Sequence, residues 1–343
     1  MGGKQLSHVL IIQTAFIGDV ILMTPLLENL RKISLDTPID VLINQSNASL
    51  LKGHPHIREL LLWNKKEQKY RNLLRLLRKI RDKKYDTIIN CHRFFSTGLL
   101  TTFSGAGQKI GFDRSSLSRW LDVKVPHRLR GAQHEVDRNL ALLKALLPHE
   151  TSQLERRPQL YPSETDRNWV VSYQSEEYIC LAPTSVWFTK QFPPERWAKL
   201  IRELPFSGKI YLLGAPTDRD ACERIKQQSE RTSVENLAGK LSLLQSAALM
   251  EKAVLNYVND SAPLHLASAT NAPVCAVFCS TIPEFGFTPL SDFSELVDVG
   301  NSLDCRPCGA HGHRACPQQH FRCAYDIEIS RLVEVFHKTA LLP

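Results

Sequence analysis

The sequence predicts an α/β chain of two doubly wound domains, each a parallel sheet flanked by helices. Three observations predict it: short apolar runs alternate with helix-period segments, the alternation occurs twice, and a polar stretch bearing three prolines separates the halves. With 343 residues, 43% of them hydrophobic and 23% charged, the chain can bury two cores.

In the first half, HVLIIQ, IDVLINQ, IRELLLW and YDTIINC read as buried strands, with helices beginning near Gly18, Ser46 and Lys69. In the second, EYICLAP, KIYLLGA, AVLNYVND and PVCAVFCS repeat the theme, with helices over Pro194 to Leu204, Asp218 to Ser229, Leu241 to Glu251 and Ala262 to Thr270. The linker is LPHETSQLERRPQLYPSETD, with Pro148, Pro158 and Pro162. The expected domains are residues 1–160 and 161–325, followed by a C-terminal helix in 326–343 that packs back on the first domain. Two such domains would place a cleft at the carboxyl ends of their strands, where open sheets of this kind bind ligands.

No apolar run reaches the roughly 20 residues of a membrane span, and the N-terminal apolar strand has no small-residue cleavage site after it, so a cytoplasmic protein is expected. Nine cysteines spread over both halves read as reduced thiols, and Asn47-Ala48-Ser49 as an unused sequon. The segment Lys65 to Lys84 holds ten Lys or Arg against Glu67 and Asp82, which equals the whole chain's net charge of +8. Within it Leu73, Leu76, Leu77 and Ile80 share one helical face, while Arg71, Arg75, Arg78 and Lys79 spread over the rest. Such a helix is either a solvated surface or a face for an anionic membrane. Only Tyr70 could stack on a base, so nucleic acid is not the expected partner.

The usual nucleotide motifs are missing. There is no P-loop, and Gly105 to Gly111, GAGQKIG, has one residue too many for a dinucleotide turn. Three strand-to-helix junctions carry polar residues instead. In TAFIGDVILMTP, Asp19 follows Gly18 at a helix start, where it is either a cap or a base; Thr24-Pro25 offers a rival start that would leave Asp19 on a loop. In LAPTSVWFTKQFPPERW, Thr184, Ser185 and Lys190 precede the Pro194 helix, a set that suits a phosphate or simply a solvated lysine beside packed Trp187 and Trp197. In YVNDSAPLHLASATNAP, Asp260 and Ser261 open a small-residue helix, either to cap it or to present its N–H groups to a diphosphate.

In their order and spacing these stretches resemble the lipopolysaccharide heptosyltransferases of glycosyltransferase family 9. The resemblance covers nearly the whole chain. It rests on Gly18-Asp19-Val20 with Pro25, on Thr184-Ser185 with Lys190, Pro194 and Trp197, and on Asp260 to His265. FSGAGQKIGF and HEVDRNLALL are similar to further family segments. The resemblance implies a GT-B fold of two Rossmann-like domains and an inverting, metal-independent transfer from ADP-heptose. The acceptor it implies is the lipid A inner core, presented to a monomer peripheral on the cytoplasmic face of the inner membrane.

It also implies roles. Asp19 is the base. Thr184, Ser185, Lys190, Gly214, Asp218, Asp260, Ser261, Ala262, Leu264 and His265 hold the donor, with Asp260 on sugar hydroxyls and Gly214 to Asp218 near the ribose. Gly18, Arg93, Arg71, Arg75, Arg78 and Lys79 face the acceptor or the membrane. Ala262-Pro263 stands where the family usually has glycine, removing one N–H from the phosphate nest.

No cofactor is required on this reading, although Cys305, Cys308, Cys316 and Cys323 have a spacing compatible with structural zinc. A similar cysteine loop occurs in the branch that adds the second heptose, and on that ground the chain most resembles the heptosyltransferase II branch. Two other readings stay open: another GT-B nucleotide-sugar transferase or epimerase, and a zinc-bearing membrane adaptor without catalysis.

Overall fold

The computed structural model describes residues 6–129, 131, 133–151, 153–300 and 303–340. The chain divides into two compact units, Met1–Tyr161 and Pro162–Pro343. Among the described residues each unit contains one six-stranded sheet, parallel throughout.

In the first unit the strands are β1 (Val9–Ile12), β2 (Ile39–Asn44), β3 (Glu59–Trp63), β4 (Thr87–Asn90), β5 (Gln108–Phe112) and β6 (Val123–Val125), in spatial order β3-β2-β1-β4-β5-β6. The helices are α1 (Ile17–Ile33), α2 (Lys69–Asp82), α3 (Phe95–Thr102) and α4 (Glu135–Leu146). The central strands β1 and β4 are buried along their whole length, as strands covered on both faces must be, which is why they read as unbroken apolar runs.

The second unit repeats the plan. Its strands β7 (Tyr178–Ala182), β8 (Lys209–Leu212), β9 (Val234–Asn236), β10 (Asn256–Asn259), β11 (Val274–Phe278) and β12 (Ser294–Asp298) lie in the order β9-β8-β7-β10-β11-β12. Its helices are α5 (Glu164–Val170), α6 (Pro194–Glu203), α7 (Arg219–Ser229), α8 (Leu243–Glu251), α9 (Ala262–Ala269), α10 (Arg322–Tyr325) and α11 (Ile329–Thr339). Both sheets therefore have the same doubly wound order, with the switch of direction beside β1 in one and β7 in the other.

Four readings of the sequence need correction. The strands β5, β6, β9 and β12 escaped it because polar residues interrupt their apolar pattern, as in strands towards a sheet edge. The helix expected near Ser46 is a 3₁₀ stretch, Gln45–Leu50. The final helix does not belong to the first domain: Ile329, Leu332 and Val335 lie in the second unit's core, and the Tyr257 hydroxyl donates to the Leu332 carbonyl at 2.8 Å.

Finally, Thr24-Pro25 does not start a helix, because α1 runs straight through it. Pro25 has no N–H for the carbonyl of Ile21, and the Thr24 hydroxyl donates to that carbonyl instead, at 2.8 Å. The same hydroxyl oxygen accepts the N–H of Gln159 at 2.9 Å, and Asn29 ties the Glu155 backbone in both directions. Helix α1, which carries Asp19, is thus locked to the segment closing its own unit.

Thr24→Val keeps the shape but orphans a buried carbonyl and a backbone N–H, so it should lower stability by about 2–4 kcal/mol, measured by urea unfolding. Thr24→Ser should cost less than half of that. Equal stability of Thr24→Val and wild type would contradict this account of how the proline is accommodated.

Candidate functional site

Polar residues collect in both units at the carboxyl ends of the strands. In the second unit, the buried strand β10 delivers Asp260 and β7 leads to Thr184 and Ser185. The Lys190 Nζ lies 2.7 Å from Asp260 Oδ2, and the Thr281 hydroxyl donates to the same oxygen at 2.6 Å. Asp260 is 4% exposed, so its charge is held by a cation and a hydroxyl rather than by water. Sequence reading gave Lys190 and Asp260 separate duties; the fold makes them an ion pair. Nearby, the Asn259 side-chain oxygen accepts the N–H of Phe192 at 2.9 Å, fixing the segment that carries Lys190.

Helix α9 starts at this pair. Ser261 occupies its cap position but spends its hydroxyl on the Thr184 carbonyl, at 3.4 Å, and not on the helix N–H groups. The bond joins the β7 and β10 junctions, so Thr184, Ser261 and Ala262 come together, and Leu264 and His265 are buried behind them. Pro263 sits in the first turn, where its missing N–H breaks no helical bond. Gly214 and Asp218 stand apart at the end of β8. There Asp218 accepts the N–H of Ala215 at 2.8 Å, closing a tight turn, and a Cβ on Gly214 would approach the Asp218 Cβ to 2.9 Å. Glycine is required by that approach.

The cysteine-rich loop has a role that spacing did not reveal. Its Gly312 and His313 clasp Thr189: the His313 N–H donates to the Thr189 hydroxyl oxygen at 2.7 Å, and the Thr189 N–H to the His313 carbonyl at 3.1 Å. The Cys308 N–H donates to the Ser280 carbonyl at 2.9 Å, while Arg306 donates to the Thr281 carbonyl at 2.7 Å and pairs with Asp298. The loop therefore backs both Lys190 and the Thr281 partner of Asp260.

Its cysteines are free thiols. Burial raises the Cys308 thiol above its ordinary range, and burial with the neighbouring thiols pushes Cys323 up to about 12. Cys305, Cys308 and Cys316 act electrostatically on Cys323, so the four thiols lie near one another, although among the described residues no group of three or more His, Cys, Asp or Glu has the geometry of a metal site. Thr189, Thr281 and Gly312 were missed because their partners lie far away in sequence.

In the first unit, Asp19 sits at the third residue of α1 and accepts the N–H of Phe16 at 3.2 Å, so it closes the helix start with its carboxylate half-exposed. The adjoining β1 end is braced by Lys65, whose Nζ donates to the Thr14 carbonyl at 2.6 Å and to its hydroxyl oxygen at 3.1 Å. His92, at the end of β4, lies 3.1 Å from the same hydroxyl. Burial, with the charges of Lys65 and Arg93, pushes His92 down to about 3, so it is neutral near pH 7. Asn47 is buried and donates to the Ala15 carbonyl, so its amide is in use inside the fold.

Behind Asp19, the first residue of α4 is Glu135, 6% exposed, with Arg138 Nε 2.7 Å from its carboxylate. Burial raises the Glu135 carboxyl above the usual range; Arg138 opposes that and the negative charge of Asp19 adds to it.

The basic helix α2 forms as its pattern predicts. Leu76 and Ile80 are buried, Leu73 and Leu77 pack beside them, and Arg71, Arg75, Arg78 and Lys79 stand exposed. Lys79 is tied to Glu59 at 2.7 Å. Among the described residues no helix is long and apolar enough to cross a membrane.

The clasp can be tested at Gly312. Its φ is +75°, and a Cβ there would meet the Thr189 hydroxyl at 2.8 Å and Lys190 Cγ at 3.1 Å. Gly312→Ala should lower turnover per donor bound by about tenfold, from a strain of about 1–3 kcal/mol placed on the Lys190 segment. Wild-type kinetics in that variant would show that the loop does not position Lys190.

Against this geometry, comparisons with known proteins are direct. A family model described as glycosyltransferase family 9 (heptosyltransferase) matches residues 73–318. Lipopolysaccharide heptosyltransferase 3 of Escherichia coli is 30% identical over 284 residues, covering 78% of this chain and 82% of that protein. Among solved structures, the glycosyl transferase family 9 protein of Veillonella parvula DSM 2008 superposes with a TM-score of 0.84 at 21% identity, covering 99% of each chain. The E. coli ADP-heptose lps heptosyltransferase II gives a TM-score of 0.77 at 23% identity, covering 97% of this chain and 98% of that one. These two likenesses show the fold: the paired parallel sheets are those of the GT-B heptosyltransferase structures. The extent of the family match and the 30% relative together show that the chain belongs to glycosyltransferase family 9, the heptosyltransferases, and is a glycosyltransferase.

Proposed function

We propose that this glycosyltransferase moves a heptose from ADP-heptose to the lipid A inner core of lipopolysaccharide by a single inverting displacement. The observation that carries the reading is the Lys190–Asp260–Thr281 cluster at the start of α9, a buried and pre-arranged set of charges of the kind that holds a diphosphate sugar. The names of the relatives supply the sugar and the acceptor class.

The acceptor hydroxyl attacks the anomeric carbon on the face opposite the departing diphosphate. A new C–O bond forms there as the bond to the diphosphate breaks, and the electron pair leaves with ADP. Lys190 stabilises that charge with N–H bonds additional to its link with Asp260, and the α9 N–H groups and the hydroxyls of Thr184 and Ser185 assist. Asp260 orients the donor sugar.

Asp19 takes the acceptor's proton. A carboxylate is a weak base towards an alcohol at rest, but the hydroxyl acidifies as its oxygen bonds to carbon, so a late transfer suffices. Its place at a helix start keeps it ionised until then. The exposed cations of α2 draw the first unit to anionic lipid and phosphorylated core sugars, at about 1 kcal/mol per cation near such a surface. Heptosyltransferases 1, 2 and 3 all occur among the relatives, which supports the lipopolysaccharide core as the acceptor without choosing its sugar.

A panel of nucleotide sugars, offered with lipid A–core acceptor in anionic vesicles, tests the reading through nucleotide diphosphate release. ADP-heptose should give acceptor-dependent release, and Asp19→Asn should bind donor within about threefold of wild type yet lose about 10²–10⁴ in turnover. Joint replacement of Arg71, Arg75 and Arg78 by Gln should slow turnover on vesicles more than on delipidated core sugar. Release with another donor but not with ADP-heptose sinks the heptosyl assignment, and full turnover by Asp19→Asn sinks the base.

A further inference from the structure

Helix α4 packs on α1 with the Asn139 side chain donating to the Leu22 carbonyl at 3.2 Å. One turn back along each helix, the same faces carry Glu135 and Asp19. Glu135 is thus a second carboxylate set beside the first turn of α1, and unlike Asp19 it is buried. Its partner Arg138 has a side chain with no exposure at all and also donates to the carbonyls of Arg128 and Gln133, so the pair is anchored from three directions. A buried ion pair contributes little net stability compared with apolar packing, which leaves its placement next to the proposed base to be explained.

We propose that Glu135 is a positioning residue for Asp19: its carboxylate offsets the cations around the start of α1 and so keeps Asp19 basic enough to accept the acceptor's proton. The inference rests on the assignment of Asp19 as the base. Two effects would otherwise weaken that base, the α1 N-terminus and the guanidinium groups of Arg93 and Arg138, which act on the adjoining Glu135. The groups acting on Glu135 among the described residues are Arg138 on its own helix, Asp19 on α1, Arg93 and Cys91 after β4, and His127 after β6, with His134 at the α4 cap. Burial and the charges of Arg93 and Arg138 push His127 down to about 4, so it adds no positive charge near neutral pH. The balance is then two guanidinium groups against two carboxylates. Removing Glu135 tips it, and Asp19 holds its proton less well.

The test follows the Asp19 carboxyl by ¹³C NMR titration in the full-length protein, assigned with Asp19→Asn, together with kinetics. Glu135→Gln should lower the Asp19 midpoint by about 0.5–1 pH unit, with kcat down about 3–10-fold and donor KM within twofold. Arg138→Gln should move the midpoint the opposite way, a contrast that simple damage to the fold would not produce. An unmoved midpoint in Glu135→Gln, or shifts of the same sign in both variants, overturns the proposal. Full turnover by Asp19→Asn overturns the base assignment instead, and the two midpoint shifts still decide whether the carboxylates are coupled.

Discussion

The constraint on which the rest depends is the parallel pairing of every strand in both sheets. Parallel strands joined by helical crossovers put all their carboxyl ends, and the amino ends of the following helices, on one edge of each sheet. Peptide dipoles then converge there whatever the side chains are. In the second unit that edge carries Lys190, Asp260 and the start of α9; in the first it carries Asp19 and the start of α4. Chemistry that needs charge held in fixed places gets the scaffold from topology, and only the side chains remain to be chosen.

Each unit handles its charge differently. The second neutralises Asp260 with Lys190 and Thr281, then backs that pair with Thr189, Arg306 and the 308–313 loop, so the cluster is held from several sides. Pre-arrangement of this kind reduces the reorganisation that charge separation demands. The first unit leaves Asp19 half-exposed beside the buried Glu135–Arg138 pair, and keeps His92 and His127 at the ends of its strands neutral.

Much of this was legible in the chain. Buried strands announced themselves as apolar runs, and the three junctions around Asp19, Lys190 and Asp260 follow from strand ends meeting polar residues. Legibility failed where the cause is tertiary. Pro25 looked like a helix start because the hydroxyl that satisfies the Ile21 carbonyl cannot be seen in a pattern of prolines. The cysteine spacing could not show that the same loop also ties, through Gly312, His313 and the Cys308 backbone, to residues up to 124 positions away. Nothing in the pattern gave Glu135 a role. Only the packing of α4 on α1 gives it Asp19 for a neighbour.

The central claim is a direct displacement in which a protein carboxylate deprotonates the acceptor and the diphosphate leaves on the opposite side. Its most direct test is the anomeric configuration of the transferred sugar, read by NMR on the product formed from ADP-heptose and lipid A–core acceptor. The account predicts a configuration opposite to that of the donor, with one ADP released per sugar transferred. Retained configuration, or ADP released without transfer, would contradict it.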